Sequence, residues 1–258
     1  MGRCLGLTVA GWLILTALLG CAQDQAVSKK RAEAKQSLGL SLIQDGQLES
    51  GLNELIQAEK LDPENAEIQY YLASVYEESG RYDEAERHLQ QALEKDPDNP
   101  RYYFRLGVVY DKQKKKEASI EAMRKAIALD PKNASALNYL GYTYADLGQN
   151  LDEAEQLILE ALKYKPNDGY ITDSLGWVYY KKGDYPKALH YLKRASELVP
   201  DDPVILEHVG DAFLKLNDKT NALKFYQKSM IQREKEKDKD PEKAKEKEGL
   251  QKKIRQIK

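Results

Sequence analysis

Residues Gly169–Asp202 read GYITDSLGWVYYKKGDYPKALHYLKRASELVPDD, and the reading of this stretch decides the fold. Bulky residues at Leu175, Tyr179, Tyr185 and Leu192 alternate with small ones at Gly176, Ala188 and Ala195. Two helices crossing at short range explain the pattern. Gly176 and Ala188 would let the backbones approach, and a large residue at either place would cost about 1–3 kcal/mol of overpacking. Gly183 supplies a permissive backbone for the turn between the helices, and Pro200 stops the second one by removing a donor.

Outward from this unit the same positions recur. The Gly176 place reads Gly39, Ala73, Gly107, Gly141 and Gly210, and the proline place reads Pro63, Pro97, Pro131 and Pro166. The alanine of the second helix reads Gly51, Ala85, Ser119, Ala154 and Ala222. From Gly107 to Gly141 the step is 34 residues, with one extra residue in the fourth unit, near Asn150. A helix-turn-helix period of this length, with small, aromatic and proline places in this order, resembles the tetratricopeptide repeat family.

The resemblance implies an all-α, right-handed superhelical solenoid of six helical hairpins, at 32–65, 66–99, 100–133, 134–168, 169–202 and 203–236. Residues 237–258 are then a charged capping helix or a partly disordered tail, with Leu250 and Ile254 placed to cover the last repeat. The third repeat departs from the pattern: Lys114 stands at the turn glycine, Lys116 at the core aromatic and Ser119 at the alanine.

Before the repeats come MGRC, an apolar run from Leu5 to Gly20, and Cys21. The order reads as a cleaved leader over residues 1–20. Leu18-Leu19-Gly20-Cys21 resembles the lipobox of bacterial lipoproteins, which implies acylation of Cys21 and a membrane anchor. Ala22, by the same resemblance, implies the outer membrane and a domain facing the periplasm. Residues 22–31, AQDQAVSKKR, lack periodicity and read as a tether, its Lys29, Lys30 and Arg31 either near anionic head groups or simply solvated.

Chemistry is sparse. The chain is 41% hydrophobic and 32% charged with a net charge of −2, which does not suit a nucleic-acid binder. With Cys4 in the leader and Cys21 acylated, no disulfide pair remains. His88, His190 and His208 fall in different repeats, and no HExxH, CxxC, GxxxxGK or GxSxG motif is present. Neither enzyme, metal nor cofactor is expected.

In the resembled family the first helix of each repeat lines an inner groove. Tyr170, Asp173, Trp177 and Tyr180, spaced 3, 4 and 3 apart, share one helix face and are expected in that groove. Matching places carry Tyr70, Phe104, Asn138, Tyr142, Glu207 and Asp211. The aromatics would supply stiff contact area, and Asp173, Glu207 and Asp211 would pair with a basic or hydrogen-bonding peptide. Glu33, Glu67, Glu77 and Glu78 make the N-terminal part of the groove acidic. The family's lysine and asparagine clamp for a C-terminal carboxylate is missing, so an internal segment or a folded partner is expected.

The expected function is a non-enzymatic scaffold lipoprotein that holds another envelope protein. Its layout resembles lipoproteins that assist type IV pilus secretin assembly and those that recruit cell-wall hydrolases. A structural homo-oligomer, and a glycan or small-ligand binder using Trp177 and the tyrosines as stacking platforms, stay open beside it.

Overall fold

Each repeat after the first begins at a capping side chain that the proline spacing does not reveal. Asn65, Asn99, Asn133, Asp168 and Asp202 each accept hydrogen bonds from backbone N–H groups of the first turn that follows. Those donors have no partner inside the helix, so each cap contributes about 1 kcal/mol. Pro100 and Pro203 occupy the first turn just after their caps, where a missing N–H loses nothing.

The computed structural model describes residues 6–235 and 241–257, with side chains placed for 23–235 and 243–257. The leader's side chains and Cys21 lie outside the described side chains. Among the described residues there are thirteen α-helices and no strand. They follow as α1 (Gly6–Gln44) and α2 (Leu48–Leu61), α3 (Ala66–Glu78) and α4 (Tyr82–Lys95), α5 (Pro100–Lys112) and α6 (Lys116–Leu129). Next come α7 (Ala134–Leu147) and α8 (Leu151–Tyr164), α9 (Gly169–Lys182) and α10 (Tyr185–Leu198), α11 (Pro203–Lys215) and α12 (Lys219–Lys235), then α13 (Pro241–Ile257). The fold is all-α, built of helical hairpins.

The chain divides into two compact units, Met1–Ala122 and Met123–Lys258. In the first, Leu55, Ile68, Leu72, Leu89 and Tyr102 are buried in one core. In the second, Ile158, Leu175, Leu192, Ile205 and Tyr226 are fully buried. Each such side chain contributes about 1.5–3 kcal/mol of apolar burial.

The small positions do what their size implies. A Cβ at Gly176 would lie 2.6 Å from Leu192 Cγ, and one at Gly210 would lie 2.5 Å from the Tyr226 ring. The turns inside the hairpins need a left-handed residue: Gly183 has φ 82° and Gly148 φ 65°. Lys114 takes the same conformation at φ 64°, a strained place for a side chain. Ser119, the other departure of the third repeat, is buried but donates to the Gly107 carbonyl at 2.7 Å. Lys115 pairs with Glu86 and Lys116 with Asp111.

The N-terminal segment differs from its expected form. Residues 22–31 are not a loose tether but part of α1, with Ala32 fully buried and Ser28 Oγ donating to the Leu61 carbonyl at 2.7 Å. The polar sequence hid a helix that α2 partners on one side. At the other end α13 packs Leu250 onto Ala222 and Tyr226, with Ile254 and Ile257 alongside. No described helix is long and apolar enough to cross a membrane.

Candidate protein-binding cleft

Within the second unit, the first helices of three successive repeats leave an open cleft of about 250 Å³. Asn138 and Tyr142 enter it from α7, Tyr170 and Asp173 from α9. Four of the ten groove residues expected from the sequence therefore meet in one place. Val204, Ile205 and His208 of α11 complete the wall, and the cap Asp202 lies at its edge. Tyr170 is 57% exposed and forms the rim with Val204.

The base of the cleft is an ion pair. His208 Nδ1 donates to both carboxylate oxygens of Asp173, at 3.1 and 3.0 Å. Asp173 is 6% exposed and His208 7%. Burial works against a charge on the imidazole, but Asp173, with Asp211 and Glu207 further off, outweighs it and raises the His208 pKa above its usual 6.5. The register of the repeats brings these residues together: they lie 35 positions apart, one repeat plus one residue.

His208 was not expected in the groove, because a lone histidine carries no motif. Its signal was periodic: it stands one repeat and one residue beyond Asp173, beside Glu207.

Trp177 and Tyr180 are corrected. The indole does not line the cleft. It stacks with His208 at 4.2 Å and 15° and with Tyr180 at 4.7 Å and 5°. A ring already stacked with two others is packing behind the cleft wall, not a platform for a sugar. Its Nε1 is buried without a hydrogen-bond partner among the described residues. Burial, together with Asp211 and Tyr185, pushes the Tyr180 hydroxyl up to about 12.

Glu207 and Asp211 are corrected too. Lys253 Nζ of α13 lies 2.9 Å from Glu207 and 2.7 Å from Asp211. Arg233 adds a 2.9 Å contact to Glu207, and the Tyr226 hydroxyl donates to Asp211 at 2.6 Å. The basic group expected from a peptide comes from the chain itself.

Tyr70 and Phe104 belong to the first unit, on α3 and α5, where both are half-buried. Tyr70 is covered by the chain's own arginines: the Arg101 guanidinium sits 4.7 Å from its ring centre, and Arg105 Nη2 donates to its hydroxyl at 3.3 Å. Glu67 pairs with Arg101 and Glu77 with Arg105. The acidity expected at these two positions is thus neutralised inside the fold. Tyr76, Tyr144 and Tyr179 are core residues, the Tyr179 hydroxyl donating to Glu155 at 2.6 Å. No group of three or more potential metal ligands occurs among the described residues.

Comparison with known proteins agrees with the hairpin geometry. A tetratricopeptide repeat profile matches residues 42–106, and the profile of the cytochrome c-type biogenesis protein H TPR domain matches 88–205. A TPR repeat-containing protein of Pseudomonas aeruginosa is 45% identical over 76 residues, 30% of this chain and 13% of that protein. One from Methanocaldococcus jannaschii is 37% identical over 81 residues, 31% of this chain and 14% of that protein. The chain thus spans a small part of the length of these relatives.

Among solved structures, PilW, a type IV pilus biogenesis factor, superposes with a TM-score of 0.70 at 20% identity, over 78% of this chain and 92% of that one. Pseudomonas aeruginosa pilF gives 0.66 at 20% identity, over 77% and 90%, and MamA 0.58 at 26%, over 66% and 92%. Repeat solenoids of this kind present extended concave surfaces that bind other proteins. Recurrent capped hairpins, small residues at each crossing and both profile matches make this chain a tetratricopeptide-repeat protein.

Proposed function

We propose that the chain is a non-catalytic adaptor of the bacterial cell envelope that holds a segment of another envelope protein in the cleft between α7, α9 and α11. The observation that carries this reading is the convergence of Asn138, Tyr142, Tyr170 and Asp173 on one open cleft. A partly exposed aromatic rim over a fixed polar base suits a peptide anchor. The lipobox-like Leu18-Leu19-Gly20-Cys21 supports attachment to the outer membrane through Cys21, with the repeats in the periplasm. Pilus assembly, named for PilW, is the process we favour, since PilW superposes on 78% of this chain with a TM-score of 0.70, against 66% and 0.58 for MamA.

Cross-linked pull-downs from envelopes test the adaptor. A Tyr142→Ala, Tyr170→Ala variant that keeps its helical circular dichroism is expected to lose a partner that the unaltered chain recovers. Equal recovery by both would remove the cleft as the binding site. Labelling with a radioactive fatty acid tests the anchor: Cys21→Ser is expected to abolish incorporation, and persistent label would refute acylation there.

A further inference from the structure

The lysine that meets Glu207 and Asp211 is carried by a helix unlike the others. Residues 241–258 hold seven lysines and arginines against three glutamates. Leu250, Ile254 and Ile257 are spaced 4 and 3 apart, so they form one stripe along α13, flanked by Glu246 and Lys253. The stripe rests on Ala222 and Tyr226, with Phe213, Leu214 and Met230 beside them. Lys253 Nζ donates to both Asp211 carboxylate oxygens, at 2.7 and 2.8 Å, and lies 2.9 Å from Glu207 and 5.6 Å from the Tyr226 ring centre. Glu246 accepts from Arg233 at 2.6 Å. On the opposite face Lys245, Lys252 and Arg255 are exposed.

This helix is held less firmly than those it covers. α8, α10 and α12 each bury three side chains, whereas Leu250 is the one buried among the described side chains of α13. The rest of the attachment is ionic and partly open, with the Lys253 side chain 36% exposed and that of Glu246 55%. Ion pairs so placed are weak and are screened by salt. Few buried apolar contacts make α13 the element of this end that opens first. The surface beneath keeps its form when α13 leaves, because α12 also holds both carboxylates: Tyr226 donates to Asp211 and Arg233 to Glu207. What is uncovered is an apolar strip at Ala222, Tyr226 and Met230, bordered by two carboxylates that have lost their shared lysine.

We propose that the α11–α12 surface under α13 is a second protein-binding site, specific for a cationic amphipathic helix, and that α13 closes it as a built-in substitute for that partner. The pattern it accepts is the one α13 supplies, with apolar residues at i, i+4 and i+7 and a lysine at i+3. This inference stands apart from the reading of the cleft between α7, α9 and α11.

Hydrogen exchange on the full-length chain tests the closure. Amides of α13 are expected to exchange at least about tenfold faster than those in the middle of α11 and α12, and faster again in high salt. Exchange of α13 in step with α11 and α12 would overturn the proposal, since α13 would then be part of their core. Lys253→Glu is expected to release α13 while α11 and α12 stay protected, and Leu250→Ser does the same without altering charge. A labelled peptide of residues 241–258 then probes the site. It is expected to bind either variant at least about tenfold more tightly than the unaltered chain, while a peptide of the same composition in scrambled order binds none of them. Equal affinity for the variants and the unaltered chain, no binding to a variant whose α13 exchanges freely, or equal binding of the scrambled peptide would overturn the site.

Discussion

His88 in the first unit and His208 in the second are both buried, yet the fold treats their charge in opposite ways. His88 Nδ1 donates to an amide oxygen, Gln69 Oε1, at 2.7 Å, and its ring stacks on Tyr76 at 5.2 Å. Burial lowers its pKa, and Glu59, 3.9 Å away, only partly opposes that. His208 meets the same burial but faces a carboxylate, and its pKa rises. A hydrogen bond alone does not charge a buried imidazole. The formal charge of the acceptor decides, because in a low dielectric the ion pair offsets desolvation and a neutral dipole does not.

The largest test exchanges the acceptors. Asp173→Asn gives His208 the amide partner that His88 has, and is expected to destabilise the fold by about 2 kcal/mol at pH 6, the size of a hydrogen bond between charged groups. Its His208 should titrate below the usual value in a nuclear magnetic resonance titration. The reverse exchange, Gln69→Glu, should raise the His88 pKa. If His208 kept a raised pKa in Asp173→Asn, the carboxylate would not be the cause.

Opposite slopes of stability against pH follow next. With its folded pKa raised, His208 contributes stability that is fully present below the unfolded value near 6.5 and is lost as pH rises through the folded one. His88, with its folded pKa lowered, contributes stability present above about 6.5 and lost as pH falls through its folded value. Each slope is at most about 1.4 kcal/mol per pH unit. Urea midpoints between pH 5 and 9 should flatten on the alkaline side in His208→Gln and on the acid side in His88→Gln. Flattening on the same side in both variants would break the comparison.

A smaller effect separates the turns of the two units. The turn after α5 holds Lys114 at φ 64°, whereas the one after α9 holds Gly183 at φ 82°. Lys114→Gly is expected to stabilise the chain by about 1 kcal/mol and Gly183→Lys to destabilise it by a similar amount, read from thermal or urea unfolding. An unchanged midpoint in Lys114→Gly would show that the left-handed turn carries no strain. Smallest is an optical signal: the protonated ring stacked on Trp177 should quench the indole, so Trp177 emission should rise as His208 deprotonates and stay level in His208→Gln.

The sequence by itself determined the hairpins. Small residues such as Gly176 and Gly210, the proline stops and the 34-residue step from Gly107 to Gly141 are local, periodic signals, and a periodic signal survives without knowing what packs on what. It also placed Asn138 with Tyr142 and Tyr170 with Asp173, each pair on one helix face, and the repeat resemblance implied that the two faces share a groove. Only the tertiary structure decided which of those faces stay open. Trp177 is stacked by a residue of the next repeat, and Asp211 meets Lys253, 42 residues away. Residues 22–31 are helical because α2 lies beside them, not because their own pattern demands it. Whether a polar or aromatic side chain on a helix face binds a partner or closes the fold depends on which cation or ring the neighbouring repeat brings to it, and no spacing within one repeat records that.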